Sequence, residues 1–190
     1  DIRYDDLTGG DTFGINGFKL VGQETLQVDI NYTILALAKG RFVTDNGIPF
    51  DVPASGLDSV FTTRYDNFPN SIEIPVQMQG RRICFLLAAS ITTAQSRMEN
   101  ARITVKLGDD TERVLALRDP ETIDDWLGSG TGKPYVQSGK AQILSKGAHA
   151  VLQELDFGDN VIIKSVTLET RTEETMVGLL GITVLQEPEK

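Results

Sequence analysis

The chain has 190 residues, 40% of them hydrophobic and 24% charged, which suits one globular domain whose core needs neither disulfide nor metal. A net charge of −9 and a pI near 4.6 argue against nucleic acid and anionic membrane as partners, since both select basic surfaces. No run of about 18 apolar residues occurs, so no membrane insertion by a helix is expected.

In chain order, residues 1–18 (DIRYDDLTGGDTFGINGF) are polar and rich in turn formers and read as an irregular leader. Its start at Asp1 rather than methionine suggests a processed or trimmed terminus. In the segment that follows, Leu26, Val28, Ile30, Tyr32 and Ile34 alternate with polar or smaller residues, the period of a half-buried strand. Asn46-Gly47 marks a turn, SVFTTRY a strand, and DNFPN its end. SIEIPV alternates again, and Pro75 predicts an edge position or a strand end because proline cannot donate to the ladder. ICFLLAAS is continuously apolar and predicts a strand buried on both faces, where the single cysteine, Cys84, acts as a small hydrophobe. RITVKLGDDTERVLAL predicts a β-hairpin turning at Gly108-Asp109-Asp110. PETIDDWL suits a short helix opened by Pro120 and capped by Asp119. GKAQILSKG, AHAVLQELDF, VIIKSVTLETR and MVGLLGITVLQ read as four further strands. The expected fold is therefore all-β: an antiparallel two-sheet sandwich of jelly-roll type, a single domain over residues 1–190.

Catalytic signatures are sparse. The one histidine, His149, would have to serve any Ser-His-Asp or Cys-His triad, and no G-x-S-x-G elbow accompanies it. One histidine and one cysteine cannot make an ordinary zinc site. GSGTGKP (128–134) is not a phosphate-binding loop, because Pro134 follows Lys133 and Leu127 stands where glycine is required. The doublets Asp5-Asp6, Asp109-Asp110 and Asp124-Asp125 suit turns and caps, with a single structural calcium as the metal-bound alternative and no other cofactor expected. Aromatic residues in loops are the remaining handle, because a sugar's CH face stacks on an aromatic ring while its hydroxyls meet planar polar groups. The candidate carbohydrate-binding residues are Arg64, Tyr65, Asp66, Asn67, Trp126 and Tyr135, with Phe68 and Asn70 beside them. The competing reading has Tyr65 and Phe68 closing the end of a sandwich and Trp126 plugging it beneath the IDDWL turn.

NGIPFDVP (46–53), SVFTTRYDNFPNSIEIPV (59–76), ICFLLAAS, ITTAQSRMENARITVKLGDDTERVLALRDPETI (91–123) and the closing AHAVLQELDF to GITVL together resemble a β-sandwich domain of bacterial polysaccharide-utilisation proteins. That domain is similar to the galactose-binding-like jelly rolls that accompany glycoside hydrolases. The resemblance spans residues 40–186 and implies an exported, extracytoplasmic accessory module that is not an enzyme, and it carries over no binding residue. The expected partner is a polysaccharide or oligosaccharide. The alternatives are a structural or protein-interaction domain packed on a catalytic domain and, third, a glycoside hydrolase with two facing carboxyls.

Overall fold

Two long strands organise the molecule. The structure is a computed structural model that describes residues 18–20, 27–30, 40–52, 59–64, 69–126, 133–137, 140–145 and 148–186. Among these residues lie eleven strands: β1 (Phe18–Leu20), β2 (Gln27–Ile30), β3 (Gly40–Val43), β4 (Pro49–Val52), β5 (Ser59–Thr63), β6 (Ser71–Ile91), β7 (Glu99–Leu107), β8 (Glu112–Arg118), β9 (Ala141–Ser145), β10 (Ala148–Thr170) and β11 (Thr175–Leu185). A single 3-10 turn, Thr93–Gln95, is the only helical element among them. Every strand pair is antiparallel. The fold is all-β. Nine strands join one sheet in the order β1-β2-β5-β11-β6-β10-β7-β8 with β9 on β10, and β3 and β4 form a separate hairpin.

β6 has 21 residues and β10 has 23, and they pair along nearly their whole length. SIEIPV and RRICFLLAAS are thus one strand, as are AHAVLQELDF and VIIKSVTLETR. The turn formers between them bend the ladder instead of ending it. The register breaks between Asp156 and Val161, where Gly158 takes φ +85°, and again between Ile163 and Ser165. Gly80 sits at the first break, and a Cβ there would run into Val184 and the carbonyl of Leu185, so the bend brings backbones closer than any side chain allows. The 71–80 half of β6 pairs only with β10 among the described residues, while the 82–91 half also pairs with β11. Pro75 therefore lies on an edge, where its missing N–H costs no ladder bond.

The core draws on both halves. Ile83, Phe85 and Leu87 of β6 share one apolar cluster with Ile103 and Val105 of β7, Val166 and Leu168 of β10, and Leu117 of β8. Full burial of each such side chain contributes about 1.5–3 kcal/mol. The predicted two-faced burial of ICFLLAAS holds, with Ile83 through Ala89 at most 3% exposed. Burial pushes the Cys84 thiol up to about 11, so it stays protonated in the fold.

Both predicted turns form. Gly47 takes φ +78° in the β3–β4 hairpin, which packs on β11 by placing fully buried Phe50 against Gly181 and by accepting the Thr183 hydroxyl at the carbonyl of Pro49. In the β7–β8 turn, Asp110 adopts φ +64° and Asp109 Oδ1 accepts the N–H and O–H of Thr111 at 3.0 and 2.6 Å.

Candidate functional site

Among the described residues 120–126 the helix predicted at PETIDDWL is replaced by turn and bridge structure. Instead of capping a helix, the Asp119 carboxylate accepts the Ser96 hydroxyl at 2.8 Å, and its backbone N–H donates to Asn100 Oδ1 at 2.9 Å. Beyond Leu87 and Val151, the last partners between β6 and β10 at this end, the segment 124–126 fits between the two strands. The Trp126 N–H donates to the carbonyl of Ala89 at 2.8 Å, and the His149 N–H donates to the carbonyl of Trp126 at 2.9 Å. Trp126 thus has its backbone N–H and carbonyl satisfied on opposite sides, by β6 and by β10.

A buried carboxylate locks the insertion. Asp124 is 2% exposed and His149 1%. Oδ2 of Asp124 accepts the N–H groups of Tyr135 and Val136 at 2.6 and 2.8 Å, while Oδ1 lies 2.6 Å from His149 Nε2. A carboxylate that already accepts two N–H groups fits the tautomer in which Nε2–H donates. Gln153 braces the same loop by donating from Nε2 to the carbonyl of Thr122 at 2.6 Å. Burial is the largest influence on Asp119 and, with the nearby Asp124 charge, outweighs the Ser96 hydrogen bond, so its carboxyl titrates above the ordinary range.

The structure sorts the sequence candidates into three groups. Tyr65, Asp66, Asn67 and Phe68 lie outside the described residues. Trp126 is 2% exposed, so of its two sequence readings the buried plug fits and the exposed sugar platform does not; the backbone that threads between β6 and β10 carries it inward. Tyr135 is 53% exposed although Asp124 clamps its backbone, and Arg64 is exposed with Nε donating to Glu173 at 3.1 Å. Arg64 follows Thr63, which is opposite Met176; Met176 is opposite Ser90, and Ala89 bridges Asp125. Three strand steps, about 14 Å at the usual spacing, thus separate Arg64 from Asp125 on one end of the sheet.

Each described acidic doublet has protein partners. Asp109 bonds Thr111, Asp110 pairs with Lys106 and Lys164, Asp124 bonds His149, and Asp125 Oδ2 accepts the Ile91 N–H at 3.3 Å. Among the described residues no three His, Cys, Asp or Glu side chains group as metal ligands. No described helix is long and apolar enough to cross a membrane.

A second region escaped the sequence reading. Near the N-terminal end of β6, a groove of about 390 Å³ is lined by Glu73, Pro75, Gln77, Lys106, Lys164 and Ser165. These residues lie on three neighbouring strands, with Ser165 opposite both Pro75 and Lys106. Their only sequence trace is the polar half of the alternation in SIEIPV and ITVKL, a pattern shared by any solvated sheet face.

No family model, no curated protein and no solved structure matches the chain.

Proposed function

We propose that this domain is a non-catalytic, carbohydrate-associated module that binds glycan at the sheet end carrying Tyr135 and Arg64. The observation that supports it is the clamping of an exposed aromatic: Asp124 fixes the backbone of Tyr135 from within the core while half of the residue's surface faces water. A ring carried on an anchored backbone loses less freedom on stacking against a sugar than one on a free loop. Arg64 lies along the same end as a planar donor for hydroxyls. The non-catalytic reading is supported by the two residues most suited to nucleophilic or base chemistry: Cys84 is fully buried and His149 is engaged by Asp124 inside the core. On this reading the bent sheet closes as the two layers of a jelly roll, supported by the apolar cluster that β6 shares with β7, β8 and β10. Extracytoplasmic placement as an accessory to a polysaccharide-degrading enzyme rests on the sequence resemblance.

The test is affinity electrophoresis through gels containing plant and host polysaccharides, with wild type, Tyr135→Ala and Arg64→Ala. Retardation of the wild type, lost in Tyr135→Ala with an unchanged circular dichroism spectrum, is the expected result. Equal migration of wild type in every gel overturns glycan binding and leaves a protein-docking role. Trp126→Ala is unsuitable as a probe, since removing a core indole perturbs the fold itself.

A further inference from the structure

The groove over the N-terminal half of β6 carries three features that an ordinary solvated sheet face lacks. First, it is built on an irregularity shared by three strands. Between Ile163 and Ser165, β10 has one residue, Lys164, where β7 has none between Lys106 and Leu107 and β6 has two, Val76 and Gln77, between Pro75 and Met78. Bulges of this kind re-aim side chains and concentrate beside functional sites. Second, Gln77 holds φ +52°, a left-handed conformation uncommon for a side chain of its kind, with Nε2 donating to the Lys164 carbonyl at 3.2 Å. Third, two ammonium groups converge. Lys164 Nζ and Lys106 Nζ both reach Asp110 Oδ1, at 2.8 and 3.3 Å. Each ammonium has three donors, so this contact does not use up their capacity.

Across the groove the chemistry changes sign. Glu73 Oε1 accepts the Ser165 hydroxyl at 2.6 Å, and a carboxylate has further lone pairs to offer. Paired cationic donors on one side, with a carboxylate and an amide on the other, match a ligand that has one anionic group and several hydroxyls. A simple anion would be opposed by Glu73, and a neutral sugar would leave the paired lysines without a counterpart beyond Asp110. We propose that the groove is a binding site for an acidic sugar of the uronate class. Its carboxylate bridges Lys106 and Lys164, and its ring hydroxyls donate to Glu73 and bond with Gln77. The choice of a sugar rests on the function proposed above, whereas the site is separate from Tyr135.

The deciding experiment is a calorimetric and NMR titration of the whole chain with oligogalacturonate, with the neutral oligogalactoside of equal length, and with sodium acetate. Lys106→Met, Lys164→Met and Tyr135→Ala are measured in parallel. The expected result is oligogalacturonate binding that falls about tenfold or more in each lysine variant, the loss of one charge-assisted hydrogen bond. It should weaken as salt rises and survive Tyr135→Ala. Acetate should bind more weakly, because it cannot reach Glu73. Oligogalacturonate binding that is lost in Tyr135→Ala but kept in the lysine variants overturns the groove and leaves the first site standing. Acetate binding equal to oligogalacturonate overturns the sugar and reduces the site to a carboxylate contact. Lysine-dependent oligogalacturonate binding alone, with no neutral glycan bound, upholds the groove and overturns the Tyr135 platform. Absence of binding by all three probes overturns the groove.

Discussion

Against the C-terminal end of β6 a carboxylate meets its partners out of water; over the N-terminal half of the same strand, others meet theirs in it. Asp124 is 2% exposed and holds two backbone N–H groups and an imidazole. Asp110 has a side chain 69% exposed and holds two lysines. The chemistry is alike but the consequence differs. In the core, the loss of a partner strands donors that water cannot reach, so the contact is structural cement. At the surface, water replaces a lost partner at little cost, so the same groups remain available to a ligand. Titration follows the same division. Burial raises Asp119 beside the lock, whereas hydrogen bonds from Lys164 and then Lys106 hold the Asp110 carboxyl below the usual range.

The largest expected effect breaks the buried side. Asp124→Ala should lower unfolding free energy by about 3–5 kcal/mol in guanidinium titrations, since it strands several buried donors at once. Asp124→Asn, which keeps the shape and one acceptor, should cost about half as much. Because Tyr135 is held by the same carboxylate, Asp124→Asn should also weaken any glycan binding that depends on Tyr135.

A smaller, pH-dependent effect comes from Asp119. Its folded pKa lies above the ordinary 3.8, so the folded state holds this proton more tightly than the unfolded chain. Ionisation therefore costs stability. The contribution declines as pH rises from the unfolded value through the folded one and stays reduced above it. Asp119→Asn should thus be more stable than wild type at pH 7, by a margin that closes near pH 3, because an amide oxygen can still accept the Ser96 hydroxyl. Guanidinium midpoints of the pair at the two pH values check this, and a margin that grows on acidification would reverse the assignment.

The smallest effects belong to the exposed side. Lys106→Met and Lys164→Met should each change stability by no more than about 0.5 kcal/mol. A loss comparable with that of Asp124→Ala would show that the groove is cement as well, and the contrast between the two regions would fail.

Local reasoning read much of this fold. Alternation in ITVKL and the Gly108-Asp109-Asp110 turn specify the β7–β8 hairpin, and the unbroken apolar run around Cys84 specifies a strand covered on both sides. Strand continuity was harder to read. The edge position of Pro75 was readable from its missing N–H, but only the pairing of β6 with β10 shows Gly80 and Gly158 as a close-contact site and a bulge within two unbroken strands. The sites were less legible still. Trp126 is a loop residue by sequence and a core residue by packing. Asp124 and His149 stand 25 positions apart and carry no motif.

The sequence alone determined the all-β character, the hairpin turns and the burial of Cys84, because periodicity, glycine conformation and apolar runs act over a few residues. Tertiary structure alone decided which polar groups became the lock and which formed the groove. Both depend on long-range strand pairing: of segment 124–126 between Ala89 and His149, and of Lys106, Lys164 and Glu73 across three strands. Burial, which determines whether a carboxylate holds the fold or stays open to a ligand, is a property of that assembly and not of any local segment.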